Sequence, residues 1–176
     1  MSEIKQIKLP LDSTMINGLQ AGDIVHLSGT VYTGRDAAHK RMCEYLANGK
    51  ALPINLQGEV IYYAGPCPPK PGEPIGSVGP TTASRMDAYS PQLIEAGLVA
   101  MIGKGARNES VVEAIKRHQG IYFAAIGGVA ALMGKCVKSA EVIAFEDLGT
   151  EAIRRLIVEN LPVIVAIDSS GNNLYQ

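Results

Sequence analysis

Residues 98–128 read LVAMIGKGARNESVVEAIKRHQGIYFAAIGG, and their pattern decides the fold class. Leu98 to Ile102 is a continuous apolar run of strand length, which implies burial on both faces as in a parallel sheet. The run leaves through Gly103-Lys104-Gly105. Asn108 is then placed to cap a helix whose Val111, Val112 and Ile115 share a face, and Gly120 stops it. Ile121 to Ile126 is a second buried strand, leaving into Gly127-Gly128, where a neighbour could approach closely. Strand, helix and strand in this order make a βαβ unit, so an α/β fold with a parallel sheet is expected.

The same rhythm extends in both directions. Gly22 to Val31 alternates as a strand, with Ile24, Leu27 and Val31 as core candidates. Asp36 is placed to cap a helix over Ala37 to Asn48, where Ala38, Met42, Tyr45 and Leu46 form an apolar stripe and Gly49 ends it. Gly58 to Ala64 reads as the next strand, and GPCPPKPGEPIG after it is too rich in proline for a regular element. Residues 76–87, GSVGPTTASRMD, suggest a strand broken at Gly79-Pro80 and a helix start at Thr81-Thr82. Ser90-Pro91 opens a short helix that Gly97 ends. A small helix over Val129 to Met133 and a strand at Glu141 to Phe145 follow. A helix over Thr150 to Asn160, with Ile153, Leu156 and Ile157 inward, and a last strand Val163 to Ile167 complete the expected order.

Composition narrows the function. The 176 residues are 47% hydrophobic, enough for one domain over 1–176 with an ordinary core. Sixteen basic and 17 acidic residues leave a formal charge of −1, without the basic patch of a nucleic-acid or anionic-membrane binder. The stretch MSEIKQIKLPLDS has no apolar core following a basic segment, and no later apolar run free of turn-formers reaches about 18 residues, so a cytoplasmic protein is expected. Cys43, Cys67 and Cys136 are odd in number and widely spaced, which fits free thiols in a reducing compartment, and only Cys67 has a turn-rich setting.

Open α/β sheets collect ligands beyond the carboxyl ends of their strands. Arg35 follows the first strand, Thr81 and Arg85 follow the GSVG segment, and Lys104 follows the LVAMI strand. Three cations and paired hydroxyls at separate exits suit a small polyanion. No GxxxxGK[ST] or GxGxxG opens a helix after a strand, which favours a dicarboxylate over a nucleotide. The bland alternative is a capped turn with solvated charges. His26 lies within a strand and His118 at a helix end, while His39, one turn beyond Arg35, is the one histidine placed near the pocket. None of these residues is a strong electrophile, so another polypeptide is expected to complete the site.

SGTVYTGRDAAHKRM, IYYAGP, GSVGPTTASRMD, MIGKG and IDSSGNNL, in that order, resemble the β region of the class I iron–sulfur hydro-lyases, the oxygen-sensitive fumarases and L(+)-tartrate dehydratases. The resemblance runs over nearly the whole chain. It implies a swivelling β/β/α three-layer domain acting as the β subunit of a two-subunit enzyme. The α partner would hold a [4Fe–4S] cluster through three cysteines, leaving one iron open as Lewis acid; no cysteine here matches those ligands. Position by position, the resemblance makes Thr81 the catalytic base and Arg35, Arg85 and Lys104 the carboxylate ligands. Thr33, Gly34, Asp36 and Ala37 match the substrate-contacting loop, and Ser84 stands where the family often has glycine. The implied reaction is reversible hydration of fumarate to (S)-malate by an α₂β₂ assembly with a β–β contact. A tartrate dehydratase β subunit and a non-catalytic dicarboxylate-binding subunit are the alternatives.

Overall fold

A computed structural model describes residues 3–125 and 130–176. Four strands run parallel and adjacent: β1 (Ile4–Lys8), β2 (Ile24–Thr33), β3 (Val60–Tyr62) and β4 (Ala100–Gly103), with β5 (Ile121–Ala125) parallel beside β4. The expected βαβ unit is present, its helix α4 (Glu109–His118) capped by the Asn108 side chain, which accepts from the Val111 amide. Helices α1 (Ser13–Asn17), α2 (Asp36–Ala47), α3 (Ser90–Glu95) and α5 (Ala130–Lys135) and strand β6 (Val137–Ala144) complete the order up to residue 144. The expected Gly127-Gly128 exit lies outside the described residues.

The largest correction concerns the C-terminal third. The expected helix over Thr150 to Asn160 does not form; Ile153–Ile167 is a single strand, β7, and only a 3-10 segment, Glu146–Glu151, precedes it. Ile153, Leu156 and Ile157 imitate a helical stripe. Yet the segment is rich in β-branched residues, which favour a pleated surface. Burial of Leu156, Val158, Leu161, Val163 and Val165 shows how the strand solves its pattern. Opposite Leu27 to Gly29, β7 carries one extra residue, a bulge at which Asn160 takes φ 55°. The bulge resets the alternation next to Pro162, which lies opposite His26.

This strand closes the fold. β7 pairs antiparallel with β5 through its end and with β2 along most of its length, so β2, β3, β4, β5 and β7 form a ring. β1 and β6 extend it from β2 and β7. Val25, Leu27, Val31, Tyr62, Ile102, Phe123, Val158 and Val163 belong to one buried core cluster. Outside, Ile61, Tyr63, Met101 and Tyr122 carry a second core against Met42 of α2, Leu93 of α3 and Val111 and Ile115 of α4. Each such buried side chain contributes about 1.5 to 3 kcal/mol. A seven-stranded sheet with helices packed on its outside is the α/β fold expected. Among the described residues no helix is long and apolar enough to cross a membrane.

Smaller differences lie near the GPTT segment. No strand precedes Gly79; residues 76–80 are a loop held by backbone bonds from Val78 to Ala130 and from Cys67 to Ser77. The helix expected at Thr81 is a single 3-10 turn, Ala83–Met86, with no side-chain cap from Thr82. Asp36 is the first residue of α2 rather than its cap, since Arg35 holds the extended cap position and makes no side-chain cap bond. Likewise Ser90 is inside α3, and its buried hydroxyl donates to the Met86 carbonyl instead of capping.

Candidate functional site

The parallel strands end together, at Thr33, Tyr62, Gly103 and Ala125, and β7, running the other way, begins beside them. Backbone pairing draws the GPTT segment onto this edge. The Thr81 amide donates to the Tyr63 carbonyl (2.7 Å), the Lys104 amide to the Thr81 carbonyl (3.3 Å) and the Ala83 amide to the Lys104 carbonyl (2.8 Å). Thr82 and Lys104 therefore form a parallel bridge that continues the sheet past its last regular residue. Gly103 makes this approach possible, since a Cβ there would lie 2.7 Å from the Tyr63 ring and 3.1 Å from the Ala83 methyl. Thr81, half-buried, and Lys104, exposed, are fixed relative to each other by main chain alone.

Arg35 leaves β2 at the neighbouring exit, where the Gly34 amide donates to the Tyr62 carbonyl (3.0 Å). Its side chain lies across Gly65: a Cβ on that glycine would sit 2.9 Å from Arg35 Nη1 and 3.2 Å from the Thr150 carbonyl. Arg85 reaches the same exit, with Nε and Nη2 both 3.0 Å from Asp36 Oδ2. That pair is half in solvent and is worth about 0 to 1 kcal/mol. A shielded ligand carboxylate, worth roughly 1.5 to 3 kcal/mol per charged hydrogen bond, would displace it. Among the described residues Arg35 and Lys104 form no ion pair.

The remaining loop positions also bond within the protein. Thr33 is buried; its hydroxyl accepts from the Arg154 amide (3.2 Å) and lies 3.5 Å from the Ala152 carbonyl, tying the exit of β2 to the start of β7. The Ala37 amide at the N-terminus of α2 donates to Glu151 Oε1 (3.2 Å). The segment carrying Glu151 is strapped to α2 by a bidentate Arg41–Asp147 pair (2.8 Å each) and by Arg41 over the Phe145 ring. Thus Arg35, Thr81, Arg85 and Lys104 lie at one end of the sheet, and the Thr33 hydroxyl and the Gly34 and Ala37 amides bond to the protein's own groups.

Three buried polar atoms in the first turns of α2 have no hydrogen-bond partner among the described residues: Arg35 Nε, Asp36 Oδ1 and His39 Nε2. Buried polar atoms are nearly always satisfied, so their grouping here marks the edge as unfinished. His39 is fully buried, and burial pushes its pKa down to about 4, against a smaller opposing effect of its bond to Arg35.

Sequence reasoning missed the support beneath the edge. Arg107, fully buried, donates to Asp87 (2.7 Å), the Ser90 hydroxyl (2.9 Å) and the Tyr63 hydroxyl (3.1 Å), and stacks on Tyr122 at 4.7 Å. Burial works against its charge, and Tyr63 and Asp87 more than restore it. Asp87 also accepts from the Asn108 amide (2.8 Å), so one carboxylate joins the GPTT turn to α4. The only local signal was an acidic residue directly after a buried methionine. Glu151 had none, because its segment imitated a helix, and Gly65 stood in the quoted IYYAGP without a role.

The donor set does not suit an iron–sulfur cluster, which needs several thiolates together. Cys43 and Cys136 are half-buried, and burial pushes both thiols up; Cys67 is exposed. Among the described residues no three His, Cys, Asp or Glu side chains gather as a metal site.

Over residues 1–176 the chain matches the family model described as Fumarase C-terminus. It is 42% identical over 152 residues to the aerobic class I fumarate hydratase of Escherichia coli (strain K12), covering 85% of this chain and 28% of that protein. Against fumarate hydratase 2 of Leishmania major it is 38% identical over 174 residues, covering 96% and 30%. It is 38% identical over 167 residues to a Methanocaldococcus jannaschii protein provisionally named L(+)-tartrate dehydratase subunit beta, covering 92% and 86%. The chain thus spans less than a third of the fumarate hydratases' length and most of the length of the subunit.

Proposed function

The chain belongs to the Fumarase C-terminus family, and from that premise we propose that it is the β subunit of a hydro-lyase interconverting fumarate and (S)-malate, active only with a separate α subunit. One observation carries the reading: Arg35 at the exit of β2, Lys104 after β4, and Thr81 and Arg85 of the GPTT loop lie at one end of the sheet, Thr81 joined to Lys104 by main-chain pairing and Arg85 to Asp36 by an ion pair.

In this reading the planar Arg35 fork binds one substrate carboxylate bidentately, and Lys104 adds a point charge. Arg85 releases Asp36 to complete neutralisation of the two carboxylates. Neutralising the carboxylate next to C3 stabilises the charge that builds up as the C3–H bond breaks. Thr81 takes that proton in the dehydration direction and returns it to C3 during hydration. A threonine hydroxyl is a weak base alone, so its proton passes on to a group of the α subunit. A [4Fe–4S] cluster held by the α subunit would supply, when bound, Lewis-acid chemistry at the substrate hydroxyl. The Thr33 hydroxyl and the Gly34 and Ala37 amides hold the loop in place, and Thr33, Gly34, Asp36 and Ala37 line the substrate beside the Arg35 side chain. An α₂β₂ assembly with a β–β contact, in the reducing cytoplasm that free thiols suit, completes the reading.

The size match to the provisionally named tartrate dehydratase subunit favours L(+)-tartrate as a second substrate reading. Anaerobic assay of this chain, alone and assembled with a cluster-loaded α partner, separates the possibilities. Fumarate hydration by the mixture only is the expected result. Preference for L-tartrate selects the second reading, and an intact, assembled complex inactive on both would sink the enzymatic one.

A further inference from the structure

We propose that His39 is a positioning residue for the dicarboxylate clamp, setting the exit of β2 from which Arg35 reaches the substrate through its hydrogen bond to the Arg35 carbonyl. The inference rests on the clamp reading above.

The Arg35 carbonyl receives two donors from one residue: the His39 backbone amide (2.9 Å) and His39 Nδ1 (2.8 Å). A carbonyl only accepts, so Nδ1 carries the proton. The buried ring is neutral at physiological pH, which leaves Nε2 as a bare acceptor, in agreement with its lack of a donor among the described residues. The carbonyl oxygen is thereby saturated, and the peptide leaving Arg35 is fixed in orientation.

The ring also fills the space beneath the exit. A Cβ on Gly34 would lie 3.3 Å from His39 Cε1, tighter than ordinary contact, so the glycine before Arg35 leaves room for the imidazole. On another side the ring meets Tyr63 edge-on, with centroids 5.2 Å apart. Tyr63 is the residue whose carbonyl receives the Thr81 amide. One imidazole therefore touches the exit that carries the arginine and the residue that carries the threonine. A side chain at this position can reach the carbonyl four residues back without a ring: Asn48 Nδ2 donates to the Glu44 carbonyl at 3.0 Å at the end of this same helix.

That precedent supplies the test. In the assembled complex, His39→Leu keeps much of the volume and removes the donor, whereas His39→Asn keeps a donor for the Arg35 carbonyl. We expect His39→Leu to raise KM for fumarate at least tenfold with kcat within threefold, and His39→Asn to restore KM to within threefold of the parent. If both variants lose only active protein, at unchanged KM, His39 is merely structural and the proposal is overturned. A parent complex inactive on both fumarate and tartrate instead overturns the clamp reading. The ring then decides the contact by itself: ¹⁵N NMR showing protonated Nδ1 and bare Nε2 supports it, and a protonated Nε2 at neutral pH removes it.

Discussion

At the end of the ring where β7 finishes, Asp168 spends both carboxylate oxygens on four donors: the Ala21, Ser170 and Asn172 amides and Asn172 Nδ2, each at 3.0 Å. At the opposite end, where β2, β3 and β4 finish, Arg35 Nε, Asp36 Oδ1 and His39 Nε2 are buried without partners among the described residues, and Lys104 stands exposed. Both ends carry the motif-like residues quoted from the sequence, IDSSGNNL at one and TGRDAAH with GPTT at the other. A buried polar group whose hydrogen bonds close on its own turn holds the chain together. One left open where strands terminate is available to a ligand or a partner. The difference separates a structural motif from a site more sharply than residue type does.

Thr81→Ala is the strongest test. Loss of an acid–base group should lower turnover by roughly 10² to 10⁴-fold with folding and assembly intact; unchanged turnover would remove Thr81 from the chemistry. Asp168→Ala should do the reverse, destabilising the chain by about 3 kcal/mol in urea titration, because charged hydrogen bonds are lost and buried amides are left unpaired, while turnover per folded complex is kept. If it instead lost activity at full stability, the contrast between the two ends would collapse.

The two ends also titrate in different windows. The unfolded chain protonates His39 near its ordinary 6.5, whereas the folded chain resists until about 4. The unfolded state therefore binds more protons between these values, and stability present above pH 6.5 falls by roughly 2 to 3 kcal/mol on acidification to pH 4.5. His39→Gln should flatten this part of the curve. Asp168 is held below its ordinary value because, although burial raises it, the Ala21 and Asn172 donors outweigh burial. Its contribution is lost only further down, as pH falls below the usual carboxylate range. Chemical denaturation of both chains across pH 7 to 3 would resolve the two steps; a parent curve flat from pH 6.5 to 4.5 would contradict the burial of a neutral His39.

Arg35→Met should raise KM for fumarate roughly 10- to 100-fold, the worth of one or two shielded charged hydrogen bonds; an unaltered KM and kcat would exclude it from the clamp. Gly65→Ala has the smallest expected effect. The added methyl presses on Arg35 Nη1 and the Thr150 carbonyl, and an overpacking cost of about 1 kcal/mol corresponds to roughly a fivefold rise in KM. A rise in KM at unchanged melting temperature would show that Gly65 acts through Arg35; lost stability at unchanged KM would make it a packing residue.

Much of the candidate edge was legible in residues 22–105, because Arg35 and Lys104 each follow a strongly patterned strand and Thr81 and Arg85 stand in a turn-rich GPTT segment. Arg35, Lys104 and the capped α4 are placed by local pattern together with the rule that such sheets bind ligands at their carboxyl ends. Asp36 as a cap and Thr82 at a helix start were misread because a turn-former before an apolar stripe signals a boundary without specifying which residue spans it. Glu151, Gly65 and the Asp87–Arg107 pair were not legible, since each gains its role from a residue distant in sequence or from a side chain that lies across it.

By itself the sequence determined the parallel βαβ set, the cations that suit a dicarboxylate near the strand exits, and the family resemblance that the match over residues 1–176 supports. Only the tertiary structure decided that residues 153–167 are one strand, that this strand closes the ring, and that His39 is a buried neutral ring under Arg35. Helical and strand periodicities in a short apolar segment overlap, and the choice between them is made by the long-range pairing of β7 with β2 and β5, an energy that no local window contains.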